Sequence, residues 1–135
     1  MGHTVRDWMS TPVIFIDPEA SVSHAMTLMR RRNIHSLVVA LDSGYGIITT
    51  TDVRDKIVGA GRNPLETKVG DIMSTPVVTA RPEWSLKECS QKMQAMNIHH
   101  MPVADEGGDL IGLISATDIF TAVEEVGWES DFETE

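Results

Sequence analysis

The chain has little of what marks an exported, membrane-spanning or nucleic-acid-binding protein. It contains one cysteine, Cys89. A lone thiol cannot close an internal disulfide, so a cytoplasmic location is the expectation. No apolar run approaches the roughly 18–20 residues of a transmembrane helix; the longest, Val13–Ile16 and Leu37–Leu41, have the length of strands. The opening stretch Met1-Gly2-His3-Thr4-Val5-Arg6-Asp7 lacks the apolar core of a signal peptide. Basic residues are scarce, 11 Lys and Arg against 20 Asp and Glu, for a net charge of -9. Such a balance argues against a nucleic-acid groove, which must neutralise phosphates. Part of the acidic excess sits in the tail, at Glu124, Glu125, Glu129, Asp131, Glu133 and Glu135, so the body is closer to neutral. Also missing are a Gly-rich phosphate loop, a metal motif and a nucleophile–base–orienter set, and the expectation is a protein that is not an enzyme.

What is present is a folded composition, 41% hydrophobic and 23% charged, and a duplication. Val5-Arg6-Asp7-Trp8-Met9-Ser10-Thr11-Pro12-Val13 returns as Val69-Gly70-Asp71-Ile72-Met73-Ser74-Thr75-Pro76-Val77. At the same offset Pro18-Glu19-Ala20-Ser21 returns as Pro82-Glu83-Trp84-Ser85, Asn33-Ile34-His35 as Asn97-Ile98-His99, and Val39-Ala40 as Val103-Ala104. The second copy then gains about two residues in a connection, where length is free to vary. The copies realign at Gly46-Ile47-Ile48-Thr49-Thr50-Thr51-Asp52 and Gly112-Leu113-Ile114-Ser115-Ala116-Thr117-Asp118. Self-similarity of this order identifies two repeats. Residues 1–61 form the first and 69–127 the second, with a linker at 62–68 and an acidic tail at 128–135.

Each copy reads as strand, helix, strand, strand, helix. Val13–Ile16 and Val77–Thr79 are short β-rich runs after proline. Helices follow, with apolar positions at Val22, Ala25, Met26 and Met29, and at Leu86, Cys89, Met93 and Met96. Ser85-Leu86-Lys87-Glu88 has the pattern of a capping box. Leu37–Leu41 with Gly46–Thr50, and Met101–Ala104 with Leu110–Ser115, read as hairpins turned at Asp42-Ser43-Gly44 and Glu106-Gly107-Gly108-Asp109. Asp52 and Asp118 stand where helices begin, the usual place of an N-cap, and Gly59 and Gly127 where they end. A unit of about 60 residues is marginal alone, and packing the copies on each other would bury a sheet face of both.

The succession Met-Ser-Thr-Pro-Val, Asn-Ile-His before a strand, and Gly-x-x-Ser/Thr-x-Thr-Asp opening a helix, occurring twice in register, resembles the CBS-domain family. The resemblance covers about residues 3–127. It implies an α+β fold of two βαββα units packed through their sheets about a pseudo-twofold axis. It also implies a regulatory module whose clefts hold an adenosine-containing ligand, AMP, ADP, ATP or S-adenosylmethionine, and which signals to a partner in trans. No other cofactor is required by it, and a homodimer is expected because such pairs associate through their helices.

Carried onto this chain, the resemblance gives Asp52 and Asp118 the ribose. A carboxylate accepts both vicinal hydroxyls of a ribose through charge-assisted bonds. In the first cleft Ile47, Thr49 and Thr51 flank Asp52, with Val77, Val78, His100 and Pro102 from the other copy lining the base. In the second, Leu113, Ser115 and Thr117 flank Asp118, with Val13, Ile14, Ser36 and Val38 opposite. His100 and Ser36 occupy matching positions, and a histidine becomes cationic near a phosphate. On that ground the Asp52/His100 cleft is expected to prefer a phosphorylated ligand. His3, His24, His35, His99 and His100 read as structural or ligand-facing rather than metal-binding; His99 and His100 in particular do not form a two-ligand pair, since neighbours on a strand face opposite ways. Arg30-Arg31-Arg32 suits the C-terminus of a helix, and Cys89 suits the core. The tail reads either as a disordered acidic end or as a segment that docks Trp128 and Phe132 onto a partner subunit. The alternative function is a structural dimerisation module with little or no ligand affinity.

Overall fold

A computed structural model describes residues 3–75 and 77–127; Pro76 of the second motif and the tail 128–135, with Trp128 and Phe132, lie outside the described residues. In chain order the elements are α1 Val5–Trp8, β1 Phe15–Ile16, α2 Val22–Arg32, β2 Ser36–Ala40, β3 Tyr45–Thr49 and α3 Thr50–Val53. A π-helical stretch Arg54–Val58 continues α3, followed by α4 Val69–Ile72, α5 Leu86–Met96, β4 His100–Ala104, β5 Leu110–Ser115 and α6 Ala116–Val126. They form two compact units, one continuous over Ile14–Val77, the other joining the leading segment up to Val13 to the residues from Val78 onward.

The units cut the chain differently from the repeats, because each Met-Ser motif packs into the later part of the other copy. In the continuous unit Ser74 and Ile47 exchange backbone hydrogen bonds of 2.9 and 3.0 Å, while Val69 and Gly70 N–H donate to the carbonyls of Ala20 and Pro18. In the other unit Ser10 and Leu113 exchange bonds of 2.8 and 3.0 Å, and Val5 and Arg6 N–H donate to Trp84 and Pro82. This docking explains the repeated glycine before the second hairpin strand ends. A Cβ on Gly46 would stand 2.8 Å from Met73 Sδ, and one on Gly112 would stand 2.6 Å from Met9 Sδ and 3.0 Å from the Ser10 carbonyl oxygen. The segment 62–68 is tied in as well: Thr67 and Pro64 carbonyls accept from Val22 and Ser23 N–H at the start of α2.

Both long helices start on a serine whose Oγ accepts a backbone N–H, Ser21 from His24 and Ser85 from Glu88, each at 3.0 Å. Both end on an asparagine in the left-handed region, Asn33 and Asn97, each with φ 54°, a conformation Asn tolerates better than most residues. Their buried faces use Val22, Ala25 and Met29, and Leu86, Cys89 and Met93. Met26 and Met96, expected on those faces, are 38% and 49% exposed, so the apolar stripes are narrower than the spacing suggested.

In the continuous unit β1 runs parallel to β2, and β2 antiparallel to β3. Among the described residues the other unit has the antiparallel pair β4–β5 only; the strand expected at Val77–Thr79 is reduced to a single parallel bridge from Ala80 to Val103. Proline accounts for the loss. Val38 N–H donates to the Ile14 carbonyl at 3.1 Å, whereas the matching residue Pro102 has no N–H to offer Val78. The extra length of the second hairpin is partly absorbed as a bulge, since Val103 faces Gly112 and Ala104 faces Leu110, leaving Ile111 between them. Strand edges differ from expectation: β1 starts two residues late, at Phe15 rather than Val13, β2 and β3 start one residue early, at Ser36 and Tyr45, and Thr50 belongs to the helix because Thr49 caps it. Each unit has its own core, Ile16, Val22, Leu37, Val39, Ile48, Ile57 and Ile72 among its members in one, Val5, Leu86, Cys89, Met93, Met101 and Ile114 in the other.

Substituting Gly112→Ala should destabilise the protein by about 1–3 kcal/mol, the usual penalty of overpacking, because the Ser10 carbonyl is backbone and gives way less than the Met9 side chain. Chemical denaturation followed by circular dichroism measures it; a midpoint equal to wild type would contradict the close approach.

Candidate functional site

Strand alternation sorts the expected ligand residues. Leu37, Val39 and Ile48 turn into one core and Met101, Val103 and Ile114 into the other. Successive side chains point to opposite faces, so Ser36, Val38, Ile47 and Thr49 share the face of β2–β3 turned from its helices. His100, Pro102, Leu113 and Ser115 do the same on β4–β5. Register places them in direct cross-strand pairs, Ser36 with Thr49 and Val38 with Ile47, His100 with Ser115 and Pro102 with Leu113. Each face therefore gathers residues expected in both clefts. In particular, His100, expected beside Asp52, stands in the unit of Asp118, opposite the serine that caps Asp118's helix. Val13 ends one unit and Ile14 begins the other, and Val77 and Val78 divide the same way.

At the end of each face the chain turns into a helix, and the turn is closed by a reciprocal pair. Thr49 is the N-cap, not Asp52. Its N–H and hydroxyl donate to Asp52 Oδ2 at 2.9 and 3.2 Å, and Asp52 N–H returns a bond to Thr49 Oγ1 at 3.2 Å. Ser115 and Asp118 repeat this at 2.8, 3.1 and 3.2 Å. These are capping boxes with aspartate in the place of the usual glutamate. The caps expected of the aspartates thus fall to hydroxyl residues, because a hydroxyl three residues back reaches the N3 amide while the longer carboxylate reaches the N-cap amide. Another backbone bond, from Thr50 to the His35 carbonyl at 3.0 Å and from Ala116 to His99 at 2.9 Å, joins helix start to strand start. Thr51 and Thr117 project outward and are exposed.

Beyond this common plan the aspartates differ. Asp52 is 8% exposed, and its Oδ1 meets Lys56 Nζ at 3.0 Å. Lys56 Nζ also donates to the Ile72 carbonyl at 2.9 Å. At the matching place four residues after Asp118 stands Ala122, wholly buried. Asp118 is half-buried, and burial raises its carboxyl above the ordinary aspartate range, against the lowering effect of its bonds from Ser115. Lys56 is the residue that motif reading missed; the signal available was an Asp-x-x-x-Lys spacing, which puts the pair on one helix face, present in one copy only.

Side-chain grooves within the units lie elsewhere. One of 540 Å³ involves Met26, Met29, Arg30, His35 and Val53, and its counterpart of 360 Å³ involves Met93, Asn97, His99 and Ile119. The repeated histidines His35 and His99 line these grooves. Among the described residues no group of three or more His, Cys, Asp or Glu is arranged to hold a metal, and no helix is long and apolar enough to cross a membrane. Cys89 is buried and its thiol is pushed up to about 11 by that burial, a core role rather than a nucleophile's.

The family model for the CBS domain matches twice, at residues 5–59 and 69–125. The chain belongs to the CBS-domain family. It is a CBS pair, a regulatory module with the α+β architecture expected of it. The CBS domain-containing protein YhcV of Bacillus subtilis is 30% identical over 129 residues, covering 94% of this chain and 89% of that one. A hexameric CBS-CP12 protein from bloom-forming cyanobacteria superposes with a TM-score of 0.87 at 29% identity, over 95% of this chain and 76% of that chain. A CBS domain pair solved with 5′-methylthioadenosine and S-adenosyl-L-methionine shares the fold, with a TM-score of 0.81 at 24% identity over 93% and 99% of the two chains. Relatives that are enzymes are longer: the chain spans 22% of the inosine-5′-monophosphate dehydrogenase of Korarchaeum cryptofilum, at 37% identity over 109 residues.

Because the folded state raises Asp118, the folded protein binds this proton more readily than the unfolded chain. Its contribution to stability is full below the unfolded value of about 3.9 and is lost as pH rises through the higher folded value. A carboxyl-carbon NMR titration of Asp118 should show a midpoint above the ordinary aspartate range, and Asp118→Asn should remove that part of the pH dependence. A midpoint at or below the ordinary value would contradict the burial argument.

Proposed function

We propose that this CBS pair is a sensor for an adenosine-containing ligand, AMP, ADP, ATP or S-adenosylmethionine, and that it passes occupancy to a partner protein in trans. The observation that carries the reading is the paired Thr49/Asp52 and Ser115/Asp118 junctions. Each fixes a carboxylate by its inner oxygen at the end of an apolar sheet face, a suitable arrangement for a ribose diol beside a flat base. Asp52 with Ile47, Thr49, Thr51, Val77, Val78, His100 and Pro102 forms one proposed set. Asp118 with Leu113, Ser115, Thr117, Val13, Ile14, Ser36 and Val38 forms the other. Of the flanking hydroxyls, those of Thr49 and Ser115 are committed to capping, so Thr51 and Thr117 are the ones available to a ligand. The fold they share with a pair solved with S-adenosyl-L-methionine supports an adenosyl ligand as a class.

A second reading, a dimerisation module of little ligand affinity, is supported by apolar exposure on the helices: Phe120 is 70% exposed, Val58 71% and Met96 49%. A homodimer formed on these faces is compatible with sensing and is proposed with it.

Thermal unfolding against AMP, ADP, ATP, NAD and S-adenosylmethionine, with light scattering for the oligomeric state, separates the two. A ligand at 100 times its Kd should add about 2.7 kcal/mol of apparent stability, and Asp52→Ala should weaken AMP or ATP binding. Absence of any shift, in a protein that still dimerises, would leave the second reading in place of the first.

A further inference from the structure

We infer that Lys56 is a specificity-determining residue that makes the Asp52 site a weaker acceptor of a ribose diol than the Asp118 site. The inference rests on the ribose role proposed above and concerns how the two copies divide it.

A carboxylate offers about four acceptor positions, two on each oxygen. In both copies Oδ2 is filled by the N-cap residue, through one N–H and one hydroxyl. What a diol can use is therefore Oδ1. At Asp118 both donors meet Oδ2, and the residue a helical turn onward, Ala122, carries no donor. At Asp52 the corresponding residue is Lys56, whose Nζ sits 3.0 Å from Oδ1. Two hydroxyls fit on one Oδ1 and only one on the other unless the ammonium withdraws.

Withdrawal is opposed by a second anchor. Lys56 Nζ also donates to the Ile72 carbonyl at 2.9 Å, a group at the end of α4 that loses this donor if the lysine leaves. The amine is thus seated between two acceptors rather than swinging on a free stem. Its bond to Asp52 is also the shielded kind: Asp52's side chain is 11% exposed, although that of Lys56 is 45% exposed. Asp118, with no cation four residues on and its carboxyl raised by burial, is the carboxylate that gains most from two incoming hydroxyl donors. The duplication has been differentiated at a position outside every repeated motif, by a residue that touches the ribose-binding atom and not the ribose.

Adenosine is the probe of choice, because it carries the diol without a phosphate that Lys56 could itself attract. Calorimetric titration in an Asp118→Asn background, which keeps an acceptor for the Ser115 amide, isolates the Asp52 site. Adding Lys56→Met, or Lys56→Ala to match Ala122, should tighten adenosine binding there by about tenfold, roughly the effect of one charge-assisted hydrogen bond; circular dichroism confirms folding of each variant. Binding that is unchanged or weaker, or a site that stays silent after Lys56 is removed, overturns the inference. If adenosine fails to bind the wild-type protein, or binds alike in Asp52→Asn and Asp118→Asn, the ribose reading itself fails and this inference with it.

Discussion

Everything proposed for this protein depends on a strand that stops being a strand at a hydroxyl residue. Thr49 and Ser115 leave β3 and β5 with extended backbone and begin a helix in the next residue. Without partners, the first helical amides and the last strand amide would be left open at that turn. The aspartate three residues on closes the account by accepting the strand's amide while giving its own amide to the hydroxyl. The same bonds that stabilise the junction aim the second carboxylate oxygen away from the backbone. Structural capping and the proposed ligand contact thus fall to different oxygens of one side chain, and the two roles do not compete.

The rest of each unit supports that junction from the other side. Ser74 pairs with Ile47 and Ser10 with Leu113, so the strand leading to each aspartate is braced by a segment from the opposite copy. Gly46 and Gly112 allow Met73 and Met9 to lie directly on the strand. A repeat taken alone would lack this brace, having lent its own Met-Ser segment away. This interchange gives a physical reason for the duplication beyond core size: neither copy by itself braces the strand that leads to its aspartate.

The duplication, most of the helix faces and the hairpins were legible because they depend on local chemistry that repeats: the serine pattern opening the helix at Ser85, apolar spacing along the helices, and alternation along the strands. Three things were not legible. The N-caps were assigned to the aspartates because cap and N3 residues use the same side-chain types, and only geometry separates them. The strand after Pro76 was expected from its short β-rich run, yet its pairing depends on an N–H that Pro102 lacks, a fact held in another part of the chain. The grouping of His100 with Ser115 follows from register, which a pattern of apolar residues constrains only by face. For the sites, alternation and spacing account for Ser36, Val38, Ile47 and Thr49 and their counterparts standing on strand faces and for Asp52 and Asp118 standing in a first helical turn, while their ligand roles rest on the family resemblance.

That last point bears on how the two sites differ. Ser36 against His100 is a difference visible in the repeat alignment, and by alignment alone it favours Asp52 for an anionic ligand. Lys56 against Ala122 lies outside the repeated motifs and acts the other way on the diol: it supplies positive charge to the Asp52 side while removing acceptor capacity from its carboxylate. The half that carries His100 is the half whose aspartate has both of its donors from the described residues on one oxygen. On the proposed ribose reading, a ligand with a free diol and little charge is matched to Asp118, while at Asp52 any gain from a phosphate near Lys56 is set against a poorer hold on the sugar. Duplicated binding motifs diverge most economically at such neighbours, because changing the aspartate itself would also open the capping box that keeps the strand-to-helix turn.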